Sequence, residues 1–263
     1  MDVIIMPTAD KAAKLAAKII ADAVKAKPAY NLGLATGRTM ERLYAYLADW
    51  HKNEGLDFSL CKSFNLDEYV GFDGSNKDSY RYYMNFHLFD KINIDKRNTY
   101  VPNGVADDLE AAAAEYEATM ESCGGVDMQL LGIGRTGHIG FNEPLSSFSS
   151  RTRAVTLTKT TYEQNSPLFD KPEDMPMRAV TMGVGTILDA KKLLLVATGA
   201  EKASIVAKTV EGPITSMISA TALQMHEDAV VILDEEAAAK LEGIEEYKWS
   251  FKQDPRLAAY QDI

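Results

Sequence analysis

Val126-Asp-Met-Gln-Leu-Leu-Gly-Ile-Gly-Arg-Thr-Gly-His-Ile-Gly-Phe-Asn-Glu-Pro144 joins an apolar run to a glycine-rich turn that carries one histidine and one carboxylate. The apolar half reads as a buried strand. The glycines at 132, 134, 137 and 140 let backbone N–H groups come close to a ligand at the strand's end. His138, five residues before Glu143, supplies a titratable pair for acid–base work near neutral pH. Gly132 to Gly137 also spells G-x-G-x-x-G, the dinucleotide fingerprint. That fingerprint needs a helix opening at its third glycine and an acid about 20 residues further on. Here His138 to Pro144 brings another Gly and a Pro, and Arg151-Thr-Arg-Ala-Val-Thr-Leu157 has no acid. A nicotinamide site is therefore not the reading. The stretch is a strand followed by a chemically equipped loop.

Outward from it, apolar runs alternate with helical patterns. Strands are predicted at Val3–Met6, Tyr30–Ala35, Cys61–Leu66, Thr99–Val101, Val126–Gly132, Ala179–Met182, Lys192–Thr198 and Ala229–Leu233. Helices are predicted at Thr8–Lys25, Thr39–Trp50 (capped by Thr36 or Thr39), Asp78–Phe89, Asp107–Ser122, Thr186–Ala190, Glu201–Val210 and Glu235–Leu241. Such alternation predicts an α/β fold: a doubly wound, mostly parallel, Rossmann-like sheet with helices on both faces. Leu193-Leu-Leu-Val-Ala197 is apolar without alternation, as a strand buried on both faces should be. Residues 1–263 read as a single domain. Residues 145–178, rich in Ser, Thr, Pro and Asp, are a candidate mobile flap within it.

Composition excludes several classes of function. The 263 residues carry a net charge of −10, which argues against a nucleic-acid partner but not against a small anion. The two cysteines, Cys61 and Cys123, are not spaced as a metal or redox motif, and they fit a reducing compartment. No membrane span and no signal peptide are read, so a cytoplasmic protein is expected. His138 has no His or Cys at ligand spacing, and His51, His87 and His226 are scattered, so no metal site is expected. No G-x-S-x-G elbow supports a nucleophilic triad. The C-terminal Tyr247-Lys-Trp-Ser-Phe-Lys252 could pack on its own subunit or on a neighbour, so a homo-oligomer is one expectation.

Ligands of open α/β sheets bind at the carboxyl ends of strands. Three further segments fall there. Gly33-Leu-Ala-Thr-Gly-Arg-Thr39 ends a strand, turns and opens a helix. Its helix dipole, the hydroxyls of Thr36 and Thr39, Gly37 and the Arg38 fork suit a phosphate. Phe64-Asn-Leu-Asp-Glu-Tyr69 ends a strand with two carboxylates, of which alternation points only one, Asp67 or Glu68, at the crevice. Thr198-Gly-Ala-Glu-Lys-Ala203 puts Lys202 in a helix's first turn, where a cation opposes the dipole unless an anion binds beside it. A phosphate anchor, a crevice carboxylate and a His–Glu pair suit proton transfer on a small phosphorylated sugar.

Leu34-Ala-Thr-Gly-Arg-Thr39, Phe64-Asn-Leu-Asp-Glu-Tyr-Val70, the Gly-His-Ile-Gly-Phe-Asn-Glu-Pro144 segment, Ser150-Arg-Thr-Arg153 and Met182-Gly-Val-Gly-Thr-Ile-Leu188 together resemble the glucosamine-6-phosphate deaminases. Galactosamine-6-phosphate deaminases and, more remotely, 6-phosphogluconolactonases belong to the same wider group and are the alternative readings; a sugar-phosphate sensor without turnover is another. The resemblance implies conversion of an aminosugar 6-phosphate and water to the ketose 6-phosphate and ammonia, with no cofactor. It implies that Asp67 moves a proton from C2 to C1, that His138 assists ring opening, and that Glu143 orients His138. Thr36, Gly37, Arg38, Thr39 and Lys202 would hold the phosphate. Three departures stand out. Thr136 occupies a position where many members carry Asp or Asn, so polarisation of His138 falls mainly on Glu143. Pro167 stands where members carry a flap Arg, and Arg38 is expected to replace that guanidinium. Ser146 and Arg153 match an allosteric site for the acetylated sugar, but Val155 stands at its Lys position, so activation by that ligand is not expected.

Overall fold

A computed structural model describes all residues, Met1–Ile263. In chain order the elements are β1 (Asp2–Met6), α1 (Ala9–Ala26), β2 (Asn31–Leu34), α2 (Arg38–Glu54), β3 (Lys62–Asn65), β4 (Asp67–Tyr69), α3 (Tyr80–His87), β5 (Thr99–Tyr100), α4 (Leu109–Ser122) and β6 (Met128–Leu131). After these come β7 (Arg153–Thr156), α5 (Lys159–Asn165), β8 (Arg178–Thr181), α6 (Val184–Leu188), β9 (Leu193–Ala197), α7 (Ala203–Val210), β10 (Ala229–Asp234), α8 (Glu235–Ala238) and α9 (Ile244–Gln253).

Seven strands form one sheet in the order β1-β10-β9-β6-β2-β3-β5, and every pairing in it is parallel. All five residues of β9 and all six of β10 are buried, so their unbroken apolar runs follow from cover on both faces. The long helix α1 is capped by Thr8, whose hydroxyl accepts the Lys11 N–H at 3.2 Å. Its buried alanines let it pack closely on β10, β1 and α2. From β2 the chain winds through β3 to β5 at one edge. From β6 it winds the other way, through β9 and β10. The direction reverses between β2 and β6, and such a switch point opens a crevice at the strands' carboxyl ends.

A second sheet, absent from the sequence reading, has the antiparallel order β4-β8-β7. The predicted strand at Ala179–Met182 therefore lies outside the parallel sheet. Leu66 makes the transfer between sheets: its N–H bonds the Leu34 carbonyl at 3.1 Å, and its carbonyl accepts the Met182 N–H at 2.7 Å. Asp67 is the next residue. The excursion 145–178 is also less irregular than its composition implied, since β7 and α5 lie within it. It packs through Leu157, Phe169 and Met175 on a small aromatic core with Tyr69 and Phe141.

Two helix starts differ from expectation. The start of α2 is at Arg38, with Gly37 as its N-cap at φ 112° and no side-chain cap, so neither Thr36 nor Thr39 caps it. The turn needs a positive φ that a threonine would resist. At the other segment, Ala200–Lys202 forms a 3-10 turn and α7 begins only at Ala203. The C-terminal aromatics divide: Tyr247 and Phe251 pack on the chain's own core, whereas Trp249 is 62% exposed.

The Met182-Gly-Val-Gly segment has a packing role. A Cβ on Gly183 would lie 2.1 Å from the Ser150 carbonyl oxygen and 2.6 Å from the Arg151 nitrogen, both backbone atoms. Val184 N–H also bonds the Ser150 hydroxyl at 3.0 Å. Gly183→Ala is expected to lower unfolding stability by about 1–3 kcal/mol, read as a lower urea midpoint at unchanged slope.

Candidate active site

The crevice at the β2–β6 switch is a cleft of about 720 Å³. Asp67, His138, Lys202 and the whole Thr36–Thr39 turn line it. Four separated segments of the chain thus meet in one cavity. Thr136 and Glu143 stand behind His138 and do not line it.

Alternation along β4 separates the two adjacent acids. Glu68 turns away from the cleft. Its carboxylate accepts the N–H groups of Tyr69 at 2.9 Å, Tyr80 at 2.9 Å and Arg81 at 3.0 Å. The last two belong to the first turn of α3, where an anion complements the helix dipole. Burial nevertheless pushes Glu68 up to about 7 against those donors. Asp67 is buried facing the cleft. Burial, reinforced by the charge of Glu68, pushes it up to about 8, and no donor from the protein offsets this. Above that value it is an ionised carboxylate with unsatisfied lone pairs, which defines a base.

The glycine turn is built around His138. Gly134 N–H bonds the His138 carbonyl at 3.0 Å, and Gly137 N–H bonds the Gly134 carbonyl at 3.0 Å. A Cβ on Gly134 would lie 2.0 Å from His138 Nε2, so only glycine lets the imidazole settle there. No helix opens after Gly137. The ring's Nδ1 has two neighbours, the Thr136 hydroxyl at 2.9 Å and Glu143 Oε2 at 3.6 Å. Thr136 is thus the hydrogen-bonding partner, while Glu143 is close enough to attract a charge on the ring. Glu143 Oε1 accepts the Thr158 N–H at 3.1 Å, and Oε2 is buried without a partner. Burial pushes Glu143 up, but His138 and the donors around it outweigh this and hold it below the usual range.

The following Asn142 is a brace. Its amide donates to the carbonyls of Ile139 at 2.9 Å and Met182 at 2.8 Å. Its Oδ1 accepts Arg153 Nη1 at 3.0 Å. Arg153 also donates to the Ser146 hydroxyl at 3.2 Å.

On the Thr36–Thr39 side, the uncapped first turn of α2 leaves N–H groups for a ligand. Tyr83 donates its hydroxyl to the Gly37 carbonyl at 2.8 Å and so fixes the turn. Lys202 Nζ bonds the Ile133 carbonyl at 2.8 Å. Burial, with Arg135 and Arg38 nearby, lowers the Lys202 pKa despite Glu201. Sequence reasoning missed Arg135 and Tyr83, and also Gln164 and Asn165 of α5, which face the same cleft. Arg135 sits between Gly134 and Gly137, and nothing in its spacing marks it as facing a ligand. Tyr83 sits in an ordinary helical pattern and gave no signal.

The chain is similar to known proteins over most of its length. The family model for glucosamine-6-phosphate isomerases/6-phosphogluconolactonase matches residues 7–232. A glucosamine-6-phosphate deaminase from Shewanella loihica is 49% identical over 94% of this chain and 92% of its own length. One from Clostridium botulinum is 46% identical over 92% and 99%, respectively. Among solved structures, a monomeric glucosamine-6-phosphate deaminase superposes with a TM-score of 0.90 at 44% identity, covering 91% of this chain and 100% of that one. A 6-phosphogluconolactonase from Leishmania guyanensis, 20% identical with a TM-score of 0.71 over 92% and 98%, shares the fold. The chain belongs to the glucosamine-6-phosphate isomerase/6-phosphogluconolactonase family. No helix is long and apolar enough to cross a membrane.

The Asp67 environment predicts a stability effect. In the fold its pKa is raised to about 8, against an unfolded value of about 3.9. Its contribution to stability is full below the unfolded value and is lost as pH rises through about 8. Asp67→Asn should therefore melt about 2–4 °C above the native chain near pH 8.5, and this lead should vanish below about pH 4.

Proposed function

We infer that this member of the family is a glucosamine-6-phosphate deaminase, converting glucosamine 6-phosphate and water to fructose 6-phosphate and ammonia. The observation that carries the residue assignment is the pairing of two groups in one cleft: a buried carboxyl that accepts no protein donor, and an imidazole held from behind at Nδ1. A lactonase needs water attack at a carbonyl and has no use for the first of these.

We assign the steps as follows. Nε2 of His138, the ring nitrogen without a protein partner, moves a proton between the C1 hydroxyl and the ring oxygen, and the pyranose opens. Asp67 takes the proton from C2. The C–H electron pair forms a C1=C2 double bond while the C1=O π pair moves to O1, which takes a proton. The nitrogen, having given up a proton, then forms C2=N with its lone pair as the C1=C2 pair takes the returning proton at C1. An imine remains at C2; water adds to it, the C–N bond breaks, and ammonia leaves. The net change is hydrolysis with an internal hydrogen shift, so no electron acceptor enters. Thr136 and Glu143 steady the ring through its Nδ1 side: the hydroxyl bonds the neutral ring, and the carboxylate stabilises the charged one. Thr36, Gly37, Arg38, Thr39 and Lys202 grip the phosphate, which places C1 and C2 within reach of the base. Segment 145–178 carries Gln164 and Asn165 over the cleft and acts as a flap.

Ammonia release from glucosamine 6-phosphate tests the reading directly, with galactosamine 6-phosphate alongside. Asp67→Asn should lower kcat by about 10²–10⁴-fold. Because Asp67 must be ionised to act, kcat/KM should fall about tenfold per unit as pH drops below about 8. Arg38→Gly should raise KM by about 10- to 100-fold, the loss of a charge-assisted contact, with kcat little changed.

A further inference from the structure

Three cations from three different loops converge on one cleft, where Glu41 and Glu201 also lie but form no salt bridge with them. Arg38 opens α2 after β2, Arg135 lies in the glycine turn after β6, and Lys202 precedes α7 after β9. All three line the one cleft. The Lys202 ammonium is tied to the Ile133 carbonyl at 2.8 Å, two residues from Arg135 in the chain. Its pKa is lowered by burial, and both guanidinium groups act in the same direction on it. Lys77 and Lys159 are already paired, with Asp170 and Glu163 respectively, whereas Arg38 and Arg135 make no ion pair.

Arg135 itself is well fixed. Two backbone bonds of 3.0 Å close the turn around it, and its own N–H bonds Gln164 Oε1 of α5 at 3.2 Å. The flap residues that face the cleft, Gln164, Asn165, Leu168 and Phe169, carry no charge. Unpaired cations held together repel one another, and a dianion between them removes that cost.

We propose that Arg135 is a phosphate-binding residue, and that Arg38, Arg135 and Lys202 form an anion grip mounted wholly on the sheet's own loops, with no charge from the flap. The proposal deepens the deaminase reading by naming a residue of its phosphate subsite. It can also be tested without turnover, with inorganic phosphate as the probe.

Calorimetric titration of inorganic phosphate into the native chain, Arg135→Ala, Arg135→Lys and the distant exposed control Lys14→Ala provides that test. Arg135→Ala should weaken phosphate binding about tenfold, and Arg135→Lys should restore part of the loss. Lys14→Ala should bind as the native chain does. In ammonia-release assays Arg135→Ala should raise KM for glucosamine 6-phosphate by a similar factor, with kcat within about twofold. Should Arg135→Ala not fold, Arg135→Gln takes its place with the same expectations. Phosphate affinity within about twofold of native in the neutral variant would overturn the proposal. So would a fall in kcat at unchanged KM, since that would put Arg135 in the service of His138 instead. Phosphate binding that depends on Arg135, in a chain that releases no ammonia, would sink the deaminase reading and leave this assignment standing.

Discussion

The site depends on what happens at the N-terminus of α3. Three N–H groups, two of them from that helix's first turn, hold the Glu68 carboxylate. Once Glu68 is committed there, the pleat of β4 sends its neighbour the opposite way. Asp67 is thus driven into the cleft by the bonding of the residue beside it. The same arrangement raises its proton affinity, because Glu68 adds repulsion to the effect of burial. Position and basicity of one carboxyl thus share a single cause.

The location of this pair follows from topology. At Leu66 the chain stops pairing with β2 and begins pairing with β8, so the acids stand at the seam between a parallel and an antiparallel sheet. The glycine turn after β6 reaches the same seam from the other side of the switch point. A carboxyl and an imidazole that are far apart in sequence meet because the sheet reverses its winding between β2 and β6.

Much of this was legible in the residues. The apolar runs of β9 and β10 announced strands covered on both faces, and alternation at Asp67-Glu68 said that only one acid would face the cavity. The second sheet was not legible. Strands β4 and β7 have three and four residues, too short for periodicity to mark them, and their partner β8 looks like any strand of the main sheet. The start of α2 misled for a different reason: threonine is a good cap in general, but the turn here needs the backbone freedom of Gly37. Nor could spacing show that Thr136, rather than Glu143, makes the hydrogen bond to the His138 ring, since that depends on a difference between 2.9 and 3.6 Å. The pairing of cations from separate loops is likewise a matter of three dimensions.

The excursion between Glu143 and Arg178 is riveted at its roots. Asn142 is bonded to Arg153 and to the Met182 carbonyl, Ser150 is wedged against Gly183, and the Thr152 hydroxyl and N–H both end on Glu117 of α4. A leash nailed at both ends keeps one footprint on the surface. Gln164 and Asn165 are thereby held at the rim of the cleft, and the outline of that rim is set by fastenings well away from the chemistry.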